Sequence, residues 1–303
     1  MKTAMITADE NGIPAETLSA IREAGIEISC RKCMTEEELV SFAADADVLW
    51  MFGPNLALTP GALERLPKCK ALFRSGSGVD ALPLAKAAEL GISVHNTPES
   101  IAESVAEHAV SLLFAMAHTV VEGDRNVRRG KWFDGLNFTR WHLTGRTLGL
   151  VGYGRIARHV ERMVAGFRMK VIHFDPFVPD STPLRELLAA SDFVSLHCPL
   201  TPETRHLIGE AEFKLMKRNA ILVNTSRGPV VDEKALIDAL KNGIIGGAAL
   251  DVTDPEPPEK DNPLLQMENV IVTPHIAAFS ADFQKNFWRC SVEKLKSLSQ
   301  TIP

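Results

Sequence analysis

Apolar residues follow two alternating rhythms along this chain. Short, nearly unbroken apolar runs, the mark of strands buried on both faces, give way to stretches with apolar positions every three or four residues, the mark of amphipathic helices. The runs lie at 3–8, 26–29, 46–52, 71–74 and 92–94, and again at 148–151, 170–174, 192–197, 220–224, 245–250 and 270–272. The helical period predicts helices over 14–24, 36–43, 60–66, 84–90, 156–164, 184–190, 210–217 and 233–241, with a last one at 281–297 outside the alternation. Such alternation predicts α/β units with parallel sheets. Residues 99–121 read as one long helix. Ile101, Val105, His108, Ala109, Leu112, Leu113 and Met116 cover so much of its circumference that it must be buried, between domains or against another subunit. Residues 125–146 are basic and aromatic, with Trp132, Phe133, Phe138 and Trp141 but no period. They read as an arm packed on something, not as a free linker.

The run at 148–151 breaks into Gly152 and Gly154 and then a helical pattern. Gly152 permits a tight turn, Gly154 lets backbone approach a pyrophosphate, and the helix N-terminus offers free N–H groups. Ala157 stands where a third glycine is usual and is small enough for close helix–strand packing. Asp175 ends the next strand about 20 residues on, where an acid meets the ribose 2′-hydroxyl. The pattern predicts a dinucleotide site. It also predicts NAD over NADP, because Asp175 would repel a 2′-phosphate and Phe174, Pro176 and Phe177 offer no compensating arginine.

Totals narrow the partners. At 303 residues there is room for about two domains. A net charge of −5 without a basic block argues against nucleic acid or an anionic membrane as partner. No apolar run approaches ~18 residues, and Met1 and Lys2 lead directly into a strand, so a cytoplasmic setting is expected. The five scattered cysteines read as reduced thiols. Cys30 and Cys33 form a CxxC, but no second pair or nearby histidine completes a tetrahedral site. No metal is expected, and the pair reads as a surface coincidence.

In open parallel sheets, ligands bind beyond the carboxyl ends of the strands. Arg227, Asp251, Glu256 and His275 all fall at or just after such ends. Each alone reads equally well as a surface or capping residue. Four of them in separate strand-end loops predict one crevice.

The runs GLVGYGRIA (149–157), HCPLTPETRHLIG (197–209), LVNTSRG (222–228), DVTDPEP (251–257) and TPHIA (273–277) resemble the D-2-hydroxyacid dehydrogenase family, which includes phosphoglycerate, glyoxylate/hydroxypyruvate and D-lactate dehydrogenases. The resemblance covers nearly the whole chain. It implies two Rossmann-like, doubly wound parallel-sheet domains: a nucleotide domain (98–280) inserted into a flavodoxin-like substrate domain (1–97 with 281–303). It also implies a homodimer built on the 99–121 helix and the arm after it. Departures are Ala157, and Glu103 where many members carry a polar amide or small residue. The C-terminal regulatory domain of some phosphoglycerate dehydrogenases is expected to be absent.

The implied activity is reversible hydride transfer between NAD(H) and a small 2-oxo/2-hydroxy acid. His275 would be the general acid, with Glu256 orienting its ring and favouring the imidazolium. Arg227 would hold the substrate carboxylate and polarise the carbonyl with a planar fork. Backbone amides near Ser77 and Gly78 would take the other side of the carboxylate, and Asp251 would meet the nicotinamide carboxamide. NAD contacts are implied at Gly152, Tyr153, Gly154, Arg155, Ile156, Asp175, His197, Cys198, Pro199, Thr204, Thr225, Ser226, Asp251 and His275.

Three other readings share the scaffold: a short phosphoglycerate dehydrogenase, a dinucleotide-sensing corepressor that binds partner proteins, and formate- or phosphite-type oxidation. Corepressors usually carry extra peptide-binding or disordered extensions. Formate dehydrogenases of this fold place glutamine where this chain has Glu256. The loop 51–58 carries no Lys or Arg, which favours a small unphosphorylated acid such as glyoxylate or hydroxypyruvate. Arg74 could supply a charge there, but as a strand residue it reads as an ion pair or a solvated side chain. Trp288 on the last helix could close the pocket, but it reads first as core packing.

Overall fold

The computed structural model describes residues 1–135 and 142–302. It divides into two compact units, Met1–Ile101 with Ser280–Pro303, and Ala102–Phe279.

The first unit runs β1 (Lys2–Met5), α1 (Ala15–Glu23), β2 (Glu27–Cys30), α2 (Glu36–Ala43), β3 (Val48–Phe52), α3 (Pro60–Glu64), β4 (Ala71–Ser75), α4 (Leu84–Glu89) and β5 (Ser93–Asn96). Its strands pair in parallel in the order β2-β1-β3-β4-β5, the flavodoxin-like winding. The C-terminal helix belongs to this unit for a visible reason. Trp288 stands edge-on to Trp50 (6.1 Å) and Phe52 (5.5 Å). Ser291 Oγ lies 2.7 Å from Ser75 Oγ, which also accepts from Trp50 Nε1 at 2.8 Å. Of Cys30 and Cys33, both expected at the surface, only Cys30 is partly exposed. Cys33 is 3% exposed in a core cluster with Ile6 and Leu39, and burial pushes the half-buried Cys30 thiol up to about 11.

The second unit runs α5 (Ala102–Ala117), α6 (Val120–Arg128), β6 (Thr147–Val151), α7 (Arg155–Val164), β7 (Lys170–Phe174), α8 (Leu184–Ala190), β8 (Phe193–Leu196), α9 (Glu210–Phe213), β9 (Ile221–Asn224), α10 (Glu233–Lys241), β10 (Gly247–Leu250) and β11 (Val270–Val272), before α11 (Phe283–Thr301) returns to the first. The parallel order among the described residues is β11-β10-β9-β8-β6-β7. One face packs Leu150, Phe193, Val223 and Ala249 against α5 and α7. The other packs Val194, Leu222 and Leu250 against α8 and α10. Apolar side chains on both faces explain why these strands read as unbroken runs. The chain winds from β6 out to β7 and then back past it to β8, so the switch of direction falls between β6 and β8.

The long helix expected over 99–121 is instead two helices, α5 and α6, meeting at a 60° bend. Thr119 sits at the break in the left-handed region (φ 47), which ends the α5 ladder. The first residues of the expected arm, to Arg128, are helical. Phe138 and Trp141 lie outside the described residues.

Candidate active site

Strand register lays the site out as a row. Pairing of β6 with β7 and β8 ends at Val151↔Phe174 and Val151↔Leu196, pairing of β9 with β8 and β10 at Asn224, and pairing of β10 with β11 at Leu250↔Val272. One residue further along the six strands stand Asp175, Gly152, His197, Thr225, Asp251 and Thr273. Ladder-like bonds continue through them: Gly152 N to Phe174 O (2.8 Å), His197 N to Val151 O (2.7 Å), Asp251 N to Asn224 O and Thr273 N to Leu250 O (both 2.9 Å). By period-two alternation they share the face that meets α5 and α7. Sequence spacing could find each strand end, but only pairing sets them side by side.

At the β6–β8 switch, Gly152 adopts φ 85, and a Cβ there would sit 2.7 Å from Cys198 N and 2.8 Å from His197 C. Only glycine fits. Gly154 caps α7, with no side-chain cap, so the first-turn N–H groups of this 10-residue helix are left for a ligand. Asp175 Oδ2 accepts from Tyr153 N at 2.8 Å and Oδ1 from Phe177 N at 2.9 Å. Each oxygen keeps a second lone pair for a hydroxyl. The Tyr153 ring stacks on His173 (3.8 Å between centroids) under Arg158, and its hydroxyl donates to Glu161. Arg155 opens α7, and Ile156 packs on the α5–α7 cluster.

Both ring nitrogens of His197 and Thr225 Oγ1 are buried with no partner. Burial alone pulls the His197 imidazole down to about 4, so it is neutral, and burial with the nearby Asp175 charge pushes the Cys198 thiol up to about 11. Unsatisfied polar atoms beside an uncapped helix N-terminus and a glycine cradle suit a dinucleotide's polar groups. The site fits one. Pro199 is exposed, Thr204 is committed to its own turn (Oγ1 to Pro199 O, 2.6 Å), and Ser226 Oγ donates to Asn224 Oδ1 at 2.8 Å.

On the β9–β11 side the structure brings Arg227, Glu256 and His275 together. A Cβ on Gly228 would lie 1.9 Å from Thr253 O, so the Arg227 loop presses directly on the loop bearing Glu256. Glu256 Oε1 accepts from Thr253 N (3.3 Å), and its Oε2 lies 2.8 Å from His275 Nδ1. This bond raises the His275 pKa above the ordinary imidazole value. Burial and the Arg227 charge oppose it, while the charges of Glu256 and Asp251 add to it. Nε2 is the ring nitrogen that Glu256 does not engage. Arg227 is half-buried, and its Nη1 donates to Ser226 O at 2.7 Å.

Asp251, expected at the nicotinamide carboxamide, is held by groups of the protein itself. Its side chain is 1% exposed, with Oδ1 accepting from Thr273 Oγ1 (2.5 Å) and Ile276 N (3.0 Å) and Oδ2 from Ala277 N (2.9 Å). Burial works to raise its pKa, but these donors together with His108 outweigh that and hold it below the usual carboxylate range. His108 is a residue the sequence reading placed only in an apolar pattern. The signal was there: it is a polar side chain in step with Val105 and Leu112 on a buried stripe.

Ser77 and Gly78 lie in the first unit, after β4. Ser77 O accepts from Asn96 Nδ2 (2.6 Å), and Gly76 N donates to Thr97 Oγ1 (2.9 Å). A methyl on Gly76 would lie 3.2 Å from Arg74 Nη1, so the partly buried Arg74 folds back over this turn.

Comparison with known proteins agrees with the geometry. Residues 110–277 match the family model described as D-isomer specific 2-hydroxyacid dehydrogenase, NAD binding domain. A D-3-phosphoglycerate dehydrogenase of Methanocaldococcus jannaschii is 40% identical over 293 residues, 93% of this chain and 55% of the relative. A glyoxylate reductase of Korarchaeum cryptofilum is 44% identical over 244 residues, 77% of this chain and 74% of the relative. The chain spans about half the length of the phosphoglycerate dehydrogenases it matches. Among solved structures, D-lactate dehydrogenase from Aquifex aeolicus, complexed with NAD and lactic acid, superposes with a TM-score of 0.84 at 28% identity, covering 99% of this chain and 96% of that one.

Proposed function

The chain belongs to the D-isomer specific 2-hydroxyacid dehydrogenase family, and we propose that it interconverts a small 2-oxo acid and its 2-hydroxy acid with NAD(H). The observation that carries the reading is the 2.8 Å pair of His275 Nδ1 and Glu256, with Arg227 close enough for its charge to oppose the imidazolium.

Residues 152–155, with Asp175, His197 and Thr225, would hold the dinucleotide, whose nicotinamide supplies or accepts the hydride. Reduction of a 2-oxo acid leaves charge on the carbonyl oxygen. His275 Nε2 delivers the proton there, because Nδ1 is committed to Glu256. The raised pKa keeps the ring charged further toward neutrality. Arg227 binds the carboxylate through two oxygens and polarises the carbonyl. In oxidation the neutral ring takes the hydroxyl proton back. In the first unit, Ser77 and Gly78 keep the proposed role of anion-binding amides.

For substrate, we favour glyoxylate, hydroxypyruvate or a short aliphatic analogue, since loop 51–58 has no cation. One observation supports the phosphorylated alternative: Arg74 folded over Gly76 puts a guanidinium at the turn that carries Ser77 and Gly78. The test is kcat/KM for glyoxylate, hydroxypyruvate and phosphohydroxypyruvate, each with NADH and NADPH. Failure with every 2-oxo acid refutes the activity. A clear win for the phosphorylated acid moves the assignment to Arg74.

Assembly as a homodimer through α5, α6 and the segment after them is part of the proposal. Val120, Val127, Trp132 and Phe133 are 60%, 53%, 63% and 62% exposed, a concentration of bare apolar side chains that a monomer seldom carries. A monomeric mass by light scattering at micromolar concentration refutes it.

A further inference from the structure

The catalytic turn is not self-supporting. His275 adopts φ 53, a left-handed conformation unfavourable for a residue with a Cβ. What holds it is Asp251: its carbonyl accepts from His275 N at 2.9 Å, and its carboxylate takes the next two N–H groups, of Ile276 and Ala277. That carboxylate is itself held from behind by α5. His108 Nε2 lies 3.1 Å from Thr273 Oγ1 and 3.4 Å from Asp251 Oδ1. Thr273 commits its single hydroxyl proton to Asp251 Oδ1, so toward the ring its oxygen only accepts. The carboxylate only accepts too. His108 Nε2 therefore carries a hydrogen.

We propose that His108 is a positioning residue for His275: its Nε2–H orients the Asp251 carboxylate and the Thr273 hydroxyl, which in turn hold the strained 275–277 backbone where the imidazole meets substrate. The role rests on the hydroxyacid reading of the site. It differs from simple packing of a partly buried ring, because it depends on one donor and not on ring volume. The ring is 21% exposed and the carboxylate it faces 1%, so solvent does not readily replace that donor.

The two roles separate in substitution. His108→Phe keeps a ring and loses the donor, whereas His108→Gln keeps an N–H at a similar reach. His108→Phe should lower kcat for 2-oxo acid reduction roughly tenfold, the scale of a slightly misplaced catalytic group, with KM for NADH little changed. His108→Gln should recover most of the loss. Thr273→Val cuts the same link, so the double variant combining His108→Phe with Thr273→Val should be no worse than the poorer single one. A second readout needs neither substrate nor cofactor. In the free protein, the Nδ1 proton of His275 held by Glu256 should give a downfield imidazole NMR signal, assigned by its loss in His275→Ala. His108→Phe should shift or broaden that signal and His108→Gln restore it.

Wild-type turnover and an unmoved signal in His108→Phe overturn the proposal, as does equal impairment of His108→Phe and His108→Gln. If His108→Phe does not fold, near-native activity of His108→Gln beside an impaired Thr273→Val supports it, and an impaired His108→Gln overturns it. Should the wild type reduce no 2-oxo acid, the functional reading fails and the NMR signal alone decides the positioning role.

Discussion

Two turns of the second unit would carry the proposed chemistry, and they are built on opposite plans. The nucleotide turn, 152–155, is made by neighbours in sequence: a strand, a glycine with φ 85, a helix cap and the start of α7. Its acid, Asp175, comes from the next strand and bonds back to Tyr153 N. The catalytic turn, 273–277, is held by residues from far along the chain. Asp251 lies 22 residues before Thr273 and His108 lies 165 before it, while Glu256 reaches His275 across 19. Local geometry suffices where the ligand is met by backbone N–H groups, since a turn and a helix end present these by themselves. A proton-transferring side chain needs a partner that sets its pKa and supports that fix its backbone, and one segment cannot supply all of these.

The comparison predicts that damage to the catalytic turn falls on turnover and damage to the nucleotide turn on binding. The largest effect should come from His275→Ala or Arg227→Ala, which lower kcat by roughly two to four orders of magnitude, the range for losing an acid or a charge-stabilising group. Steady-state kinetics checks this, and near-native turnover in His275→Ala breaks the role assignment.

Gly152→Ala tests the other plan. The left-handed backbone alone costs about 1–2 kcal/mol, and a Cβ 2.7 Å from Cys198 N must displace backbone. NADH affinity should fall roughly ten- to a hundredfold by fluorescence titration, with a smaller change in kcat at saturation. An unchanged Kd would mean that the turn is not where the cofactor sits. Asp175→Ala should weaken the preference for NADH over NADPH by roughly one order of magnitude, because a like charge beside the 2′-phosphate is removed. Equal efficiency of the wild type with both cofactors removes the premise.

The smallest effect is a shift, not a loss. Glu256 raises the His275 pKa. Removing its charge in Glu256→Gln lowers that pKa, so the imidazolium is lost at lower pH. The alkaline limb of kcat/KM for reduction should therefore move to lower pH, with little change on the acid side. An unmoved limb means that the pair does not set the titration.

Much of this was legible in sequence because it is periodic or contiguous. The alternation of apolar runs and helical stretches determined the two parallel-sheet α/β units. The glycine turn, its acid and the strand-end positions of Arg227, Glu256 and His275 followed from spacing. What spacing could not supply was decided by packing. Thr119 breaks the 99–121 pattern because its backbone leaves the helical region, although the apolar stripe runs on through it. Ser75 and Ser291, 216 residues apart, meet within the first unit and bring the last helix home. Asp251 reads in sequence as an acid at a strand end, and only strand register sets it beside Thr273 and beneath α5, where Thr273, Ile276, Ala277 and His108 reach its carboxylate. A local pattern specifies which residues can form a turn. Which distant side chains hold that turn depends on strand order and on the helix lying over it, and these exist only once the chain has folded.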